Sequence, residues 1–246
     1  MSGIITSFVL SYGVCVVEAV LFVYLVARGH AKRFWELVFY LAISLGVGVA
    51  RTYTLHFYGF SSSQYGYCYW ATDLLLVLAA FVLVVSFFRR ACLSNREMWQ
   101  FVRMLLTAVI VAIAVISYFS LASHNDNFFS FFIIEFSQNL YFASLVLTTL
   151  LYLMTLKMEI ADERLGMIVC GLGIEFAGPA ASQALFCLTQ GAEVSRIIGV
   201  YLIPLCDIGM ILTWFYAISR VPGAEKVPSQ SLDSVPAFAR GGISNF

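Results

Sequence analysis

Apolar residues run through this chain in long, nearly uninterrupted stretches, and seven of those stretches reach the length a helix needs to cross a lipid bilayer. At ~1.5 Å per residue, about 20 residues span a hydrocarbon core about 30 Å thick. The stretches are Ile4 to Ala27, Phe34 to Ala50, Tyr67 to Phe88, Trp99 to Leu121, Phe128 to Leu156, Leu165 to Leu188 and Ile197 to Ile218. The pattern predicts an all-α polytopic membrane protein, with a seven-helix transmembrane domain over 1–219. The second stretch is short and leaves room for its helix to continue through Arg51 to His56. After residue 219 the chain turns to Pro, Gly, Ser and scattered charges, which cannot bury enough apolar surface to fold alone. Residues 220–246 therefore read as a flexible tail without an output domain.

Composition agrees with the pattern. A mean hydropathy of +0.89, with 61% hydrophobic and 11% charged residues, leaves too little polar surface to cover a soluble globule of 246 residues. Acidic and basic residues balance at 14 each, so no charge excess points to nucleic acid. Their placement says more than their number. With the amino terminus outside and the carboxy terminus in the cytoplasm, only Arg51 and Arg196 of the Lys and Arg residues fall outside. Arg28, Lys32, Arg33, Arg89, Arg90, Arg96, Arg103, Lys157, Arg164, Arg220, Lys226 and Arg240 all fall on the cytoplasmic side, as the positive-inside rule requires. The first residues lack a basic region and a small-residue cleavage site, so the first stretch is expected to be a retained span. The loop from Arg51 to Gly66 is then the longest on the outer side, and its tyrosines and phenylalanines suit a membrane interface.

Small residues at four-residue spacing mark faces where helices in lipid can approach closely. Ala42, Gly46 and Ala50 form one such stripe in the second helix, and Gly173, Ala177 and Ala181 another in the sixth. Pro179 and Pro204 each remove a backbone hydrogen bond near mid-membrane and are expected to bend helices 6 and 7. The six cysteines have no CxxC spacing and lie mostly in apolar runs, as small hydrophobes do. Cys68 and Cys187 both fall near outer helix ends, and the preferred reading leaves them as unpaired thiols.

Ionisable residues within the spans carry the functional signal. Glu18, Glu175 and Asp207 lie well inside the hydrocarbon region, and Asp73 and Glu135 lie in its outer half. A charge at the bilayer centre costs at least ~2.5 kcal/mol, so these acids are expected to face the bundle interior. Too few cations lie near them for all to be paired. Some must be protonated, hydrated in a cavity or bound to a cation. Glu135, Gln138 and Asn139 share one face of helix 5 at i, i+3 and i+4, and Gln183 lies at similar depth on helix 6. With Arg51, Asp73, Tyr67, Tyr69 and Trp70 they form a candidate pocket open to the outer side. The plainer alternative is interhelical hydrogen bonding that fixes packing, with Arg51 and Asp73 a structural ion pair.

Several sharper functions are excluded. Covalent retinal requires a lysine in the last helix, and helix 7 has none. A bis-histidine haem requires two imidazoles at matched depth, whereas His30, His56 and His124 all fall at helix ends or loops. Neither the clustered ligands of a zinc hydrolase nor a serine nucleophile with its histidine is present, and glycine-rich phosphate loops are absent. No cofactor, metal or catalytic residue is expected.

The run Tyr67-Cys68-Tyr69-Trp70-Ala71-Thr72-Asp73 opens helix 3, preceded by an arginine closing helix 2 and followed by the Phe87-Phe88-Arg89 exit. In these features, and loosely over residues 20–220, the chain resembles a family of seven-span proteins common in acidobacterial genomes that carries no assigned activity. The resemblance implies a bacterial cytoplasmic membrane and transfers no functional residue. Three classes of function remain. One is a non-enzymatic binding or sensory module that acts through a membrane-protein partner or a second copy. The second is a proton- or cation-coupled transporter using Glu18, Glu175 and Asp207. The third is an accessory subunit of a larger membrane complex.

Overall fold

The computed structural model describes residues 2–59, 62–92, 96–121, 128–157, 163–189 and 192–219. All regular structure among them is helical: α1 (Ser2–Ala27), α2 (Trp35–Tyr58), α3 (Ser63–Ala91), α4 (Arg96–Leu121), α5 (Phe128–Lys157), α6 (Glu163–Thr189) and α7 (Ala192–Ser219), with one 3₁₀ turn at His30–Lys32. Six of these helices, α2 to α7, contain stretches long and apolar enough to cross a membrane, while the apolar stretch described in α1 is Tyr12–Ala27. Residues 220–246, read from the sequence as a tail, lie outside the described residues.

Burial is inverted relative to a protein that folds in water. In α1, Glu18 is only 5% exposed, whereas Val16, Val20 and Val23 on the opposite side are 62%, 58% and 61% exposed. Ser117, Ser137, Ser144 and Thr148 are likewise buried among the helices while large apolar side chains cover the outside. Water would favour the reverse arrangement, and hydrocarbon favours this one. By length, composition and burial these are the helices of a multi-pass membrane protein.

The helices form a closed ring in the order α1, α2, α3, α5, α6, α7, each packing on the next and α7 returning to α1. Helix α4 is left outside, packed against α5 and α3. Its inner face, with Val102, Leu106, Ile113 and Ser117, is buried. The opposite face is open.

Helix α2 does continue past Ala50, and further than His56. The cause is Arg51, whose guanidinium is satisfied by α3 rather than by water, so the chain need not leave the helix there. Gly59 ends it, with φ 77° and its N–H donating to the Leu55 carbonyl at 3.0 Å. With ψ at 164° this is a positive-φ extended conformation that only glycine adopts without strain, and it turns the chain out of the helix. Ser62 then caps α3 by accepting the Tyr65 N–H at 3.1 Å. The expected Arg51-to-Gly66 loop is therefore corrected, since 51–58 belong to α2 and 63–66 to α3, and His56 with Tyr53, Phe57 and Tyr58 lies within α2.

The small-residue stripe of α2 also needs correction. Ala42 and Gly46 are exposed, and a β-carbon on Gly46 would meet nothing within 4 Å. Tyr40, Ser44, Val47 and Arg51 share the opposite face of α2 at helical spacing, and this polar-rich face turns inward. The small stripe then has to point out. Close approach occurs instead at Gly48, where a β-carbon would lie 2.9 Å from Cys15 Sγ. In α6, Gly173 faces Thr148 of α5, while Gly171 and Gly178 make the seam with α7. A β-carbon on Gly171 would lie 2.5 Å from Trp214 Nε1. That indole is fully buried and donates to the Ile168 carbonyl at 2.9 Å, tying α7 to α6. Both helices continue through their prolines, Pro179 and Pro204.

Candidate functional site

Two groups of buried and half-buried polar side chains occupy the bundle. The first lies among α1, α2, α6 and α7. Glu175 is 12 residues from the start of α6 and Asp207 is 12 residues from the end of α7, so each lies about 18 Å from the same end of the bundle. Glu18 of α1 and Ser44 of α2, each nine residues from that end, lie about 13 Å from it. All are at mid-membrane depth if the helices span.

Ser44 donates its hydroxyl hydrogen to Glu18 Oε1 at 2.8 Å. Tyr40, one turn away on the same face of α2, donates to Glu175 Oε1 at 3.3 Å. Glu175 Oε2 is buried, and no hydroxyl or N–H reaches it among the described residues. Besides Tyr40, the carboxyl of Asp207 lies within hydrogen-bonding reach of the Glu175 carboxyl. An ionised carboxylate only accepts, so two carboxyls share a hydrogen bond only when one of them carries the proton. Glu18 interacts electrostatically with both members of this pair. Among the described residues no lysine or arginine hydrogen-bonds any of the three acids. Trp214 closes one side by placing its ring edge-on against Tyr40, with centroids 5.8 Å apart.

The second group joins α2, α3 and α5, about one to two helical turns further along the bundle. Arg51 pairs with Asp73 Oδ1 at 3.5 Å, donates Nε–H to Thr72 Oγ1 at 2.9 Å, and donates to the Tyr69 carbonyl at 3.3 Å. Its guanidinium also lies 4.3 Å from the Tyr69 ring centroid, within cation–π range. Tyr141 of α5 completes the group by donating to Asp73 Oδ1 at 3.4 Å. Arg51 spends its donors on α3, and Asp73 has both a cation and a hydroxyl. This geometry locks three helices together.

The sequence-derived candidates thus divide. Glu18, Glu175 and Asp207 come together, and Arg51 and Asp73 come together. Asn139 turns toward α4, donating to Ser117 Oγ at 3.3 Å. Glu135 and Gln138 are half-buried, and among the described residues neither side chain has a hydrogen-bonding or ionic partner. The side chain of Gln183 lies outside the described residues, as does that of Cys187. Cys68 carries a free thiol that accepts the Thr54 hydroxyl at 3.3 Å. Tyr67 is 60% exposed whereas Tyr69 stacks on Arg51, so the aromatics opening α3 do not line a common surface.

Sequence reasoning missed Tyr40, Ser44 and Tyr141, the hydroxyls that serve these acids, and Thr72, which accepts from Arg51. A signal for two of them was present, since Tyr40 and Ser44 are four residues apart on an otherwise apolar helix. No protein-family model, curated protein or solved structure matches the chain.

Proposed function

We propose that this chain is a seven-span protein of a bacterial cytoplasmic membrane, amino terminus outside, that binds a proton or small cation at Glu18, Glu175 and Asp207 and uses it to couple transport. The observation that carries this reading is the convergence of three mid-bundle acids from α1, α6 and α7 with hydroxyl donors and no hydrogen-bonded cation. A purely structural role favours a matched ion pair, as Arg51 and Asp73 make. Three acids without a hydrogen-bonded cation create instead a place for a mobile positive charge. A proton bridging Glu175 and Asp207 relieves their repulsion, and Glu18 supplies a second acceptor nearby. The reading of a sensory pocket around Arg51, Asp73, Glu135, Gln138, Asn139 and Gln183 ranks behind it. Arg51 and Asp73 satisfy each other, and Asn139 is engaged with Ser117.

Infrared difference spectroscopy during pH titration of the full chain in lipid tests the assignment. A protonated-carboxyl band is expected that is lost or shifted in both Glu175→Gln and Asp207→Asn and retained in Glu135→Gln. Sodium at neutral pH would displace the same band if a cation shares the site. A band that survives both substitutions overturns the reading. So does proton-coupled uptake in proteoliposomes that is indifferent to them.

A further inference from the structure

Helix α4 presents a face that no other helix covers, and it is not uniformly apolar. Arg96, Gln100, Arg103 and Thr107 are all exposed, and their spacing of four, three and four residues places them along one side of the helix. A groove of about 660 Å³ runs there, lined by Gln100, Arg103, Met104, Thr107, Ala108 and Val111. It lies opposite the buried residues Val102, Leu106 and Ile113. Among the described residues neither the Arg96 nor the Arg103 guanidinium has a hydrogen-bonding or ionic partner. The Thr107 hydroxyl donates to the Arg103 carbonyl at 2.9 Å, which leaves the Arg103 side chain free.

Depth supplies the second part of the case. Arg103 is seven residues into α4, about 10 Å below its first residue. An arginine there, on a face open to lipid, extends along the helix toward the headgroups and leaves its apolar stem against the tails. Beyond it Met104, Ala108 and Val111 make the groove mainly apolar, Met104 being 74% exposed, and the hydroxyl of Thr107 between them is already bonded to the Arg103 carbonyl. The groove therefore changes from cationic and hydrogen-bonding to apolar along its length. An anionic phospholipid changes in the same direction, from phosphate to acyl chain. The planar guanidinium takes a phosphate through two parallel hydrogen bonds, a geometry that lysine does not offer.

We infer that the groove on α4 is a binding site for an anionic phospholipid of the leaflet in which α4 begins, its phosphate held by Arg96 and Arg103 with Gln100, and one acyl chain lying over Met104, Ala108 and Val111. The inference uses the reading of α4 as a membrane span and is independent of the acid cluster.

Native mass spectrometry of the full chain, released from detergent with phosphatidylglycerol or phosphatidylcholine added, tests it. The unaltered protein is expected to retain phosphatidylglycerol preferentially. In the double variant R96Q/R103Q that preference is expected to fall about twenty-fold, from about fivefold per arginine near the surface. The double variant R28Q/K32Q, which removes two charges elsewhere, is expected to keep it. Ala108→Phe fills the groove while keeping both charges and lies on an exposed face where the fold tolerates it. It is expected to weaken retention of phosphatidylglycerol too. No preference in the unaltered protein, equal losses in the two double variants, or full retention in Ala108→Phe would each overturn the inference.

Discussion

The two polar groups of this bundle contain the same chemistry, buried or half-buried carboxyls with tyrosine and hydroxyl partners, and differ in one respect. Asp73 has Arg51 beside it at 3.5 Å, and among the described residues Glu18, Glu175 and Asp207 have no cation hydrogen-bonded to them. At Asp73 the compensating charge belongs to the protein, so nothing has to enter or leave. At the acid cluster no described lysine or arginine is hydrogen-bonded, and Arg51 reaches Asp207 only through its field at longer range, so the carboxyls lack a countercharge in contact with them. A fixed countercharge makes a joint between helices, whereas a missing one makes a site whose occupancy can change. That difference separates a structural polar group from a candidate functional one more cleanly than depth or residue type does.

The comparison can be broken most severely at the frame around the acids. Gly171→Val places side-chain atoms where the Trp214 indole lies, and Trp214 has no exposed direction in which to move. Overpacking of this kind costs about 3 kcal/mol. A matching fall in unfolding free energy, followed by Trp fluorescence in detergent, is expected, together with loss of the Glu175–Asp207 carboxyl band as α6 and α7 separate. An unchanged band would mean that the seam does not position the pair.

A smaller effect is expected from Arg51→Gln. Breaking a buried pair costs several kcal/mol, but here the partners are 24% and 18% exposed, so a loss of about 2 kcal/mol is expected. Combining it with Asp73→Asn should restore most of that loss, because no unpaired charge then remains. A double variant as unstable as the single would remove the distinction between the two groups.

The smallest stability change belongs to Glu175→Gln. The amide keeps the size of the carboxyl, can still accept from Tyr40, and can donate to Asp207, so a change below about 1 kcal/mol in either direction is expected. A large stability loss with little effect on proton binding would reverse the assignment and make the cluster the structural joint.

Much of the fold was legible without coordinates because hydropathy is a local property. Each apolar stretch corresponds to one helix, and α5, read as Phe128 to Leu156, ends one residue later at Lys157. The reading failed where a polar residue interrupted a stretch. The apolar stretch of the second span stopped at Ala50, with a continuation through His56 left open, and Thr72, Asp73 and Tyr69 of the neighbouring helix satisfy Arg51 and let α2 run to Tyr58. Gly46 was misread for a related reason. Spacing alone marks a close-packing stripe, yet the direction it faces is set by Tyr40, Ser44 and Arg51 across the same helix.

The sequence by itself determined the class of the molecule, the number of described helices and the position of each acid along its helix, because these depend on the length and composition of contiguous segments. Only the tertiary structure decided which acids meet. The ring that passes from α3 directly to α5 and leaves α4 outside brings α1, α2, α6 and α7 together, and this adjacency follows from side-chain shape and hydrogen bonds between segments distant in the chain. Glu18 and Asp207 are separated by most of the sequence, and no local pattern in either helix records the other.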